Sequence, residues 1–230
     1  MRQMSLPIQL NEKELQVLLS RYHFNDADFL HIKAIYQVVA PLVTATAYYS
    51  IEQGKEKALD FVSDVQYAPY EIGVVTLGNQ VDELQNLHTK EGEVWKAYVV
   101  ECIALELLSK AYVILTEVIH KECGLWPRQY DFLGERFPLE KMTDIFTYLG
   151  IKTAEVSYNE AYMLIPKKSV VFLASLTEDR KESACNICSG CGNVTCQNRK
   201  VSSERIQNYN YGYQRILGNM ENPEAGRRKI

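Results

Sequence analysis

Tyr70-Glu71-Ile72-Gly73-Val74-Val75-Thr76-Leu77-Gly78 is short, rich in β-branched residues and bounded by Pro69 and Gly78, a combination that predicts a strand entering a tight turn. A helix is expected directly after it, over 81–87, with Asp82 and Glu83 near the positive end of its dipole. Further on, Val99, Ile103, Leu107 and Ile114 stand at helical spacing, so 94–120 reads as a long buried helix of the central layer.

Upstream, Leu10-Asn11-Glu12-Lys13-Glu14-Leu15 reads as a helix start, with Asn11 as the cap and Glu14 as its box partner. A second helix is expected up to Val39, followed by an extended or broken segment around Pro41. Downstream, 124–128 breaks the long helix, and 139–149 forms an amphipathic helix ended by Gly150. Residues 156–165 and 169–176 read as two strands joined in a hairpin by Pro166-Lys167-Lys168. The tail after Lys200 is polar and rich in tyrosine, and its end is expected to be frayed.

Four cysteines follow the last strand at the spacing C-x2-C-x2-C-x4-C: Cys185, Cys188, Cys191 and Cys196. Small and polar residues separate them, and Gly190, Gly192 and Asn193 tolerate the turns that would aim four sulfurs at one centre. Four thiolates suit tetrahedral Zn2+, and the C-x2-C-x2-C run equally suits a [4Fe–4S] cluster. The N-terminus carries no secretory signal, and Cys102 and Cys123 fall in apolar helical patterns. A cytoplasmic metal site is therefore expected rather than disulfides.

The chain has 230 residues, 47% of them hydrophobic, enough for one substantial core. Its apolar stretches fall short of the ~20 residues of a membrane span. A net charge of −4 gives no electrostatic reason to expect nucleic acid. Among the fifteen tyrosines, Tyr158, Tyr209, Tyr211 and Tyr213 could cover a planar ligand or serve as ordinary half-buried packing. His23, His31, His88 and His120 show no paired spacing and are left out of the metal site.

Three segments in order carry a resemblance: Val74-Val75-Thr76-Leu77-Gly78 with Val81-Asp82-Glu83-Leu84; Phe137-Pro138-Leu139-Glu140 with Asp144-Ile145-Phe146; and Asn159-Glu160-Ala161-Tyr162-Met163-Leu164-Ile165-Pro166-Lys167-Lys168-Ser169-Val170. From about residue 8 to about 199 the chain resembles the activation (reactivation) domain of cobalamin-dependent methionine synthase, in the stand-alone form of anaerobic bacteria. The resemblance implies an α+β fold, a twisted antiparallel sheet with surrounding helices, over 1–180. To this 181–200 adds a four-cysteine segment and 201–230 a polar tail. It also implies binding of S-adenosylmethionine and docking on a corrinoid protein or cobalamin-dependent methyltransferase, which carries the cobalamin. Reductive methylation of that partner's Co(II) would draw an electron from flavodoxin, ferredoxin or the chain's own cluster.

The family's Arg and Pro-Gly-Tyr turn correspond here to Trp126-Pro127-Arg128-Gln129-Tyr130-Asp131-Phe132-Leu133-Gly134-Glu135-Arg136, in which the Pro-Gly-Tyr core is absent. Arg128 is the counterpart for charge recognition, Gly134 for close backbone approach and Tyr130 for stacking. Glu101 and Glu106 lie near the place of the family's helical acid, and Glu160 matches the acid of its strand motif. Glu160 would hold a ligand or pair with Lys167 or Lys168, while Thr76 and Gly78 shape a turn. Two other functions remain open: a non-catalytic corrinoid-protein binding module with a structural zinc, and an iron–sulfur electron-transfer subunit without S-adenosylmethionine. Cys188→Ser is expected to release the metal and loosen residues 182–199, because metal-binding energy in such a segment is folding energy; unchanged metal content by elemental analysis would remove the four-thiolate site.

Overall fold

The computed structural model describes residues 1–53, 59–62, 69–134 and 136–183. The four-cysteine run and the polar tail, with Tyr209, Tyr211 and Tyr213, lie outside the described residues, as does Glu135.

A 30-residue helix, α4 (Val94–Cys123), is the longest element. Of its expected stripe, Val99, Ile103 and Leu107 are buried, at 0, 0 and 1% exposure, and Ile114 is half-buried. It ends where Gly124 adopts the left-handed conformation. Before it come α1 (Glu12–Arg21), α2 (Phe29–Val39) and α3 (Gln80–Lys90). The expected capping box of α1 is present, with Glu14 N donating to Asn11 Oδ1 at 3.0 Å and Asn11 N to Glu14 Oε2 at 2.7 Å. Glu14 also accepts from Lys110 Nζ at 2.7 Å, which ties α1 to α4.

The strands β1 (Arg2–Ser5), β2 (Thr46–Glu52), β3 (Tyr70–Thr76), β4 (Trp126–Phe132) and β7 (Ser169–Thr177) form one antiparallel sheet in the order β1-β2-β3-β7-β4. All seven residues of β3 are buried, which explains its near-continuous apolar run. On one face Tyr49, Val75, Phe172 and Ala174 pack under α1, α2 and α4. On the other Ile72, Val74, Val171 and Leu173 pack against α5 (Met142–Tyr148). The chain is an α+β domain of helices, sheet and a thinner second cover. Among the described residues no helix is long and apolar enough to cross a membrane.

Two expectations are corrected. The segments 156–165 and 169–176 do not form a hairpin with each other. Instead β5 (Ser157–Tyr158) pairs with β6 (Leu164–Ile165) in a separate two-stranded sheet, and β7 pairs with β3 and β4. The long apolar run of β7, buried on both faces, finds its partners in the central sheet. The second correction is β4, where sequence indicated only the break of a helix. Pro127 and the alternating polar residues Gln129 and Asp131 hide an edge strand whose register shifts between Pro127 and Gln129.

Glu71 stands in the middle of β3 at 1% exposure, on the face covered by α4, and its Oε1 makes no hydrogen bond among the described residues. Burial, reinforced by the charge of Glu122, pushes its carboxyl up to about 8. In the unfolded chain a glutamate releases its proton near ~4.3. Between these values the folded protein holds a proton that the unfolded chain has lost, so stability falls as pH rises from the lower value to the upper and then levels off. Glu71→Gln is expected to remove that decline, which amounts to a few kcal/mol at ~1.4 kcal/mol per pH unit. Urea unfolding at pH 5 and pH 8 checks it, and equal slopes in the two proteins would refute a neutral Glu71.

Candidate functional site

Two of the three segments that carry the sequence resemblance, 74–84 and 159–170, meet at one corner of the sheet, where β3 ends and β7 begins. Ser169 Oγ donates to Thr76 Oγ1 at 2.8 Å, Gly78 N to the same oxygen at 3.2 Å, and Leu77 N to Lys168 O at 3.0 Å. Asp82, in the first turn of α3, accepts from Lys167 N at 2.5 Å. Its Oδ1 is buried and has no hydrogen bond among the described residues. The hydroxyl pair is shielded from water, with Thr76 at 3% and Ser169 at 7% exposure, and so is the Asp82 carboxylate at 6%, whereas Lys167 is exposed. Hydrogen bonds in such a place fix position because breaking them strands a buried polar group.

Beside this corner, on the face turned away from α4, runs a groove of about 460 Å3. Phe132, Leu133, Met142, Tyr162, Leu164 and Val171 form much of its wall, and Lys167 and Ser169 line it as well. A second cavity of about 410 Å3 is lined by Gly134, Arg136, Phe137, Pro138, Leu139 and Glu140, with Leu139 common to both. Gly134 has φ +88, and a side chain there would bring a Cβ to 3.2 Å from Leu139. Its loop is closed by Gly134 N donating to Phe137 O at 2.8 Å. Arg136 stands 3.8 Å from the buried Asp131, which also accepts from Gln129 Nε2 at 3.0 Å.

The β5–β6 connection forms the exposed lip of the groove. Asn159 Oδ1 accepts from Ala161 N and Met163 N, each at 3.0 Å. Between them Tyr162 is held at φ +58, an unusual conformation for a bulky residue. Its ring stacks on Tyr158 at 5.8 Å, and Tyr158 in turn meets Phe146 edge-on at 5.1 Å. Tyr158 is therefore packed among protein rings. Met163 and Ile165 present apolar surface outward, at 63 and 49% exposure.

Of the residues named from sequence, Gly134 lines the second cavity beside the groove, and the lip carries the exposed Glu160. Glu160 forms no ion pair with either lysine; Lys168 Nζ instead binds Glu101 at 2.8 and 2.6 Å, with Gln85 Nε2 donating to the same carboxylate at 2.8 Å. Glu106 accepts from Tyr22 OH at 2.9 Å and pairs with Arg21, between α4 and the end of α1. Tyr130, expected to stack on a ligand, is placed in the core. At 3% exposure its ring meets Tyr112 at 5.8 Å and Phe172 at 5.4 Å, its hydroxyl lies 3.2 Å from Thr116, and burial raises its pKa. Arg128 is at the opposite end of β4 from Gly134, where its Nε lies 3.4 Å from Glu182.

Sequence reasoning missed Asp82 as a holder of the corner, because an acid at a helix start reads as a dipole partner. It also missed the grouping of His88, Glu91 and Glu93 at the turn between α3 and α4. There His88 Nδ1 lies 2.7 Å from Glu93, and Lys96 shares that carboxylate, an arrangement the exposed charges satisfy among themselves.

No protein-family model matches the chain, and no curated protein does. Among solved structures it is similar to a crystal structure of the MetH reactivation domain bound to AdoHcy, at 10% identity and a TM-score of 0.42, over 93% of this chain and 85% of that one.

The ion pair at the corner yields a direct expectation. The side chain of Lys168 is 9% exposed, so Glu101→Ala leaves a nearly buried ammonium without its carboxylate. The variant should lose about 1–3 kcal/mol of stability, read from urea unfolding, whereas a loss within error would show that the pair contributes nothing.

Proposed function

We propose that the chain is an accessory protein for the reductive reactivation of a corrinoid-dependent methyltransferase, and that the groove beside the Thr76–Ser169 corner is its ligand site. The observation that carries this reading is the meeting of two of the resemblance-bearing segments at one corner, next to an apolar recess. Residues far apart in sequence and similar to one family are here held together by buried hydrogen bonds, as a shared site requires.

The groove suits S-adenosylmethionine in kind. Leu133 and Tyr162 offer apolar and aromatic walls for a purine, while the adjoining cavity offers Arg136 and the backbone at Gly134 to a carboxylate. Each recess falls in the range of small-molecule sites. S-adenosylmethionine, when bound, supplies the methyl group that captures a cobalt reduced by one electron. The chain's part is to exclude water along the apolar wall, to orient the amino-acid end near Arg136, and to meet the partner through Met163 and Ile165 at the lip. The cobalamin belongs to that partner. The electron is assigned to a [4Fe–4S] cluster at Cys185, Cys188, Cys191 and Cys196, or to flavodoxin or ferredoxin.

A second reading, a docking module that does not hold S-adenosylmethionine, is favoured by one set of contacts: Glu101 and Tyr130 are satisfied inside the protein. Calorimetric titration of the full chain with S-adenosylmethionine separates the two. Saturable binding, weakened at least tenfold by Leu139→Trp at the junction of the two recesses, supports the first. Absence of binding supports the second. Elemental analysis after anaerobic purification complements this: about four irons per chain fit the cluster, and one zinc fits a structural staple.

A further inference from the structure

Strand β7 leaves the sheet at Thr177, and the chain turns through Arg180–Glu182 before Cys185 follows two residues after Ser183. That turn is closely knit. Asp179 Oδ1 accepts from Lys181 N at 2.8 Å, Glu182 N donates to Asp179 O at 3.0 Å, and Ser183 Oγ donates to Arg180 O at 2.7 Å. It also lies against the start of β4 through two independent contacts. The Arg180 guanidinium sits 5.0 Å from the centroid of Trp126, and Glu182 Oε2 sits 3.4 Å from Arg128 Nε. Trp126 is itself fixed, stacked on His120 of α4 at 3.7 Å and 16°.

We propose that Trp126 and Arg128 are the seat of the segment leading into the cysteine run, and that Arg128 is a positioning residue for that segment rather than a contact for a small ligand. The seat and the groove are at opposite ends of the sheet. Trp126 pairs with Thr177 at one end, whereas Ser169 lines the groove at the other. Eight residue steps along β7 separate Ser169 from Thr177, a span of ~26 Å at the rise of an extended strand. Residues 179–183 therefore sit at a fixed point remote from the groove, and the seat and the groove respond to substitutions independently.

Hydrogen exchange on the full chain, read over residues 179–183, tests the seat. Arg128→Glu and Glu182→Arg should each speed exchange there about two- to fivefold, as expected for an exposed ion pair, and the double charge swap should restore it. Arg180→Gln, which leaves β4 untouched, should act in the same direction, and none of the four proteins should change in melting temperature or in affinity for S-adenosylmethionine. Exchange unaltered by both Arg128→Glu and Arg180→Gln overturns the proposal. So does an Arg128→Glu protein that loses S-adenosylmethionine affinity while Glu182→Arg does not.

Discussion

The ring of Phe172 lies directly over Gly73 in the neighbouring strand, and the rest of the architecture depends on that contact. A Cβ at position 73 would stand 2.3 Å from Phe172 Cζ, so any side chain there evicts the ring. The space is used to lay Phe172 against Tyr112 and Tyr130, at 5.4 Å from each, which locks α4 to the two central strands. Because α4 spans the sheet from end to end, fixing its middle also fixes both of its ends. Near its start Glu101 reaches Lys168, and near its finish Glu122 reaches the Tyr49 hydroxyl at 2.8 Å.

The polar contacts fall into two sets. At the groove end, hydroxyls, a buried carboxylate and a lysine organise the chain around the Thr76–Ser169 pair. Elsewhere phenols donate to carboxylates: Tyr48 to Glu155 at 2.9 Å, Tyr49 to Glu122, and Tyr148 to Glu52. Burial raises the pKa of all three phenols, so each remains a donor and each carboxylate an acceptor. The second set reads as structural reinforcement of strands β1 to β3 beside the buried Glu71. The first has an open recess beside it.

Local signals were legible where physics is local. The Asn11–Glu14 box, the stripe Val99–Ile103–Leu107 and the β-branched run before Gly78 each appear where spacing placed them. Pairing between strands was not legible, because β7 chooses partners by burial on both faces and not by proximity to β6. Tyr130 shows the same limit within the site. An aromatic residue beside an arginine in an apparent loop looks available to a ligand, and only the alternation of a strand turns it under α4 while leaving Gln129 and Asp131 on the far face. Gly134 takes φ +88, a conformation that its residue type makes accessible, while its approach to a ligand belongs to the proposal.

The pairing of β3 with β7 also shapes how the protein is made. β3 is wholly buried, yet the strand that covers one of its edges begins 93 positions after it ends, by subtraction of Thr76 from Ser169. During synthesis, a hydrophobic strand thus waits with one ladder of backbone groups unpaired while α3, α4 and β4 emerge. Sheets closed by such distant contacts are slow to complete, and exposed edges of this kind recruit other chains. The long helix that forms in the interval is built from local contacts, and by covering one face of β3 it shields the nascent chain until its last central strand arrives.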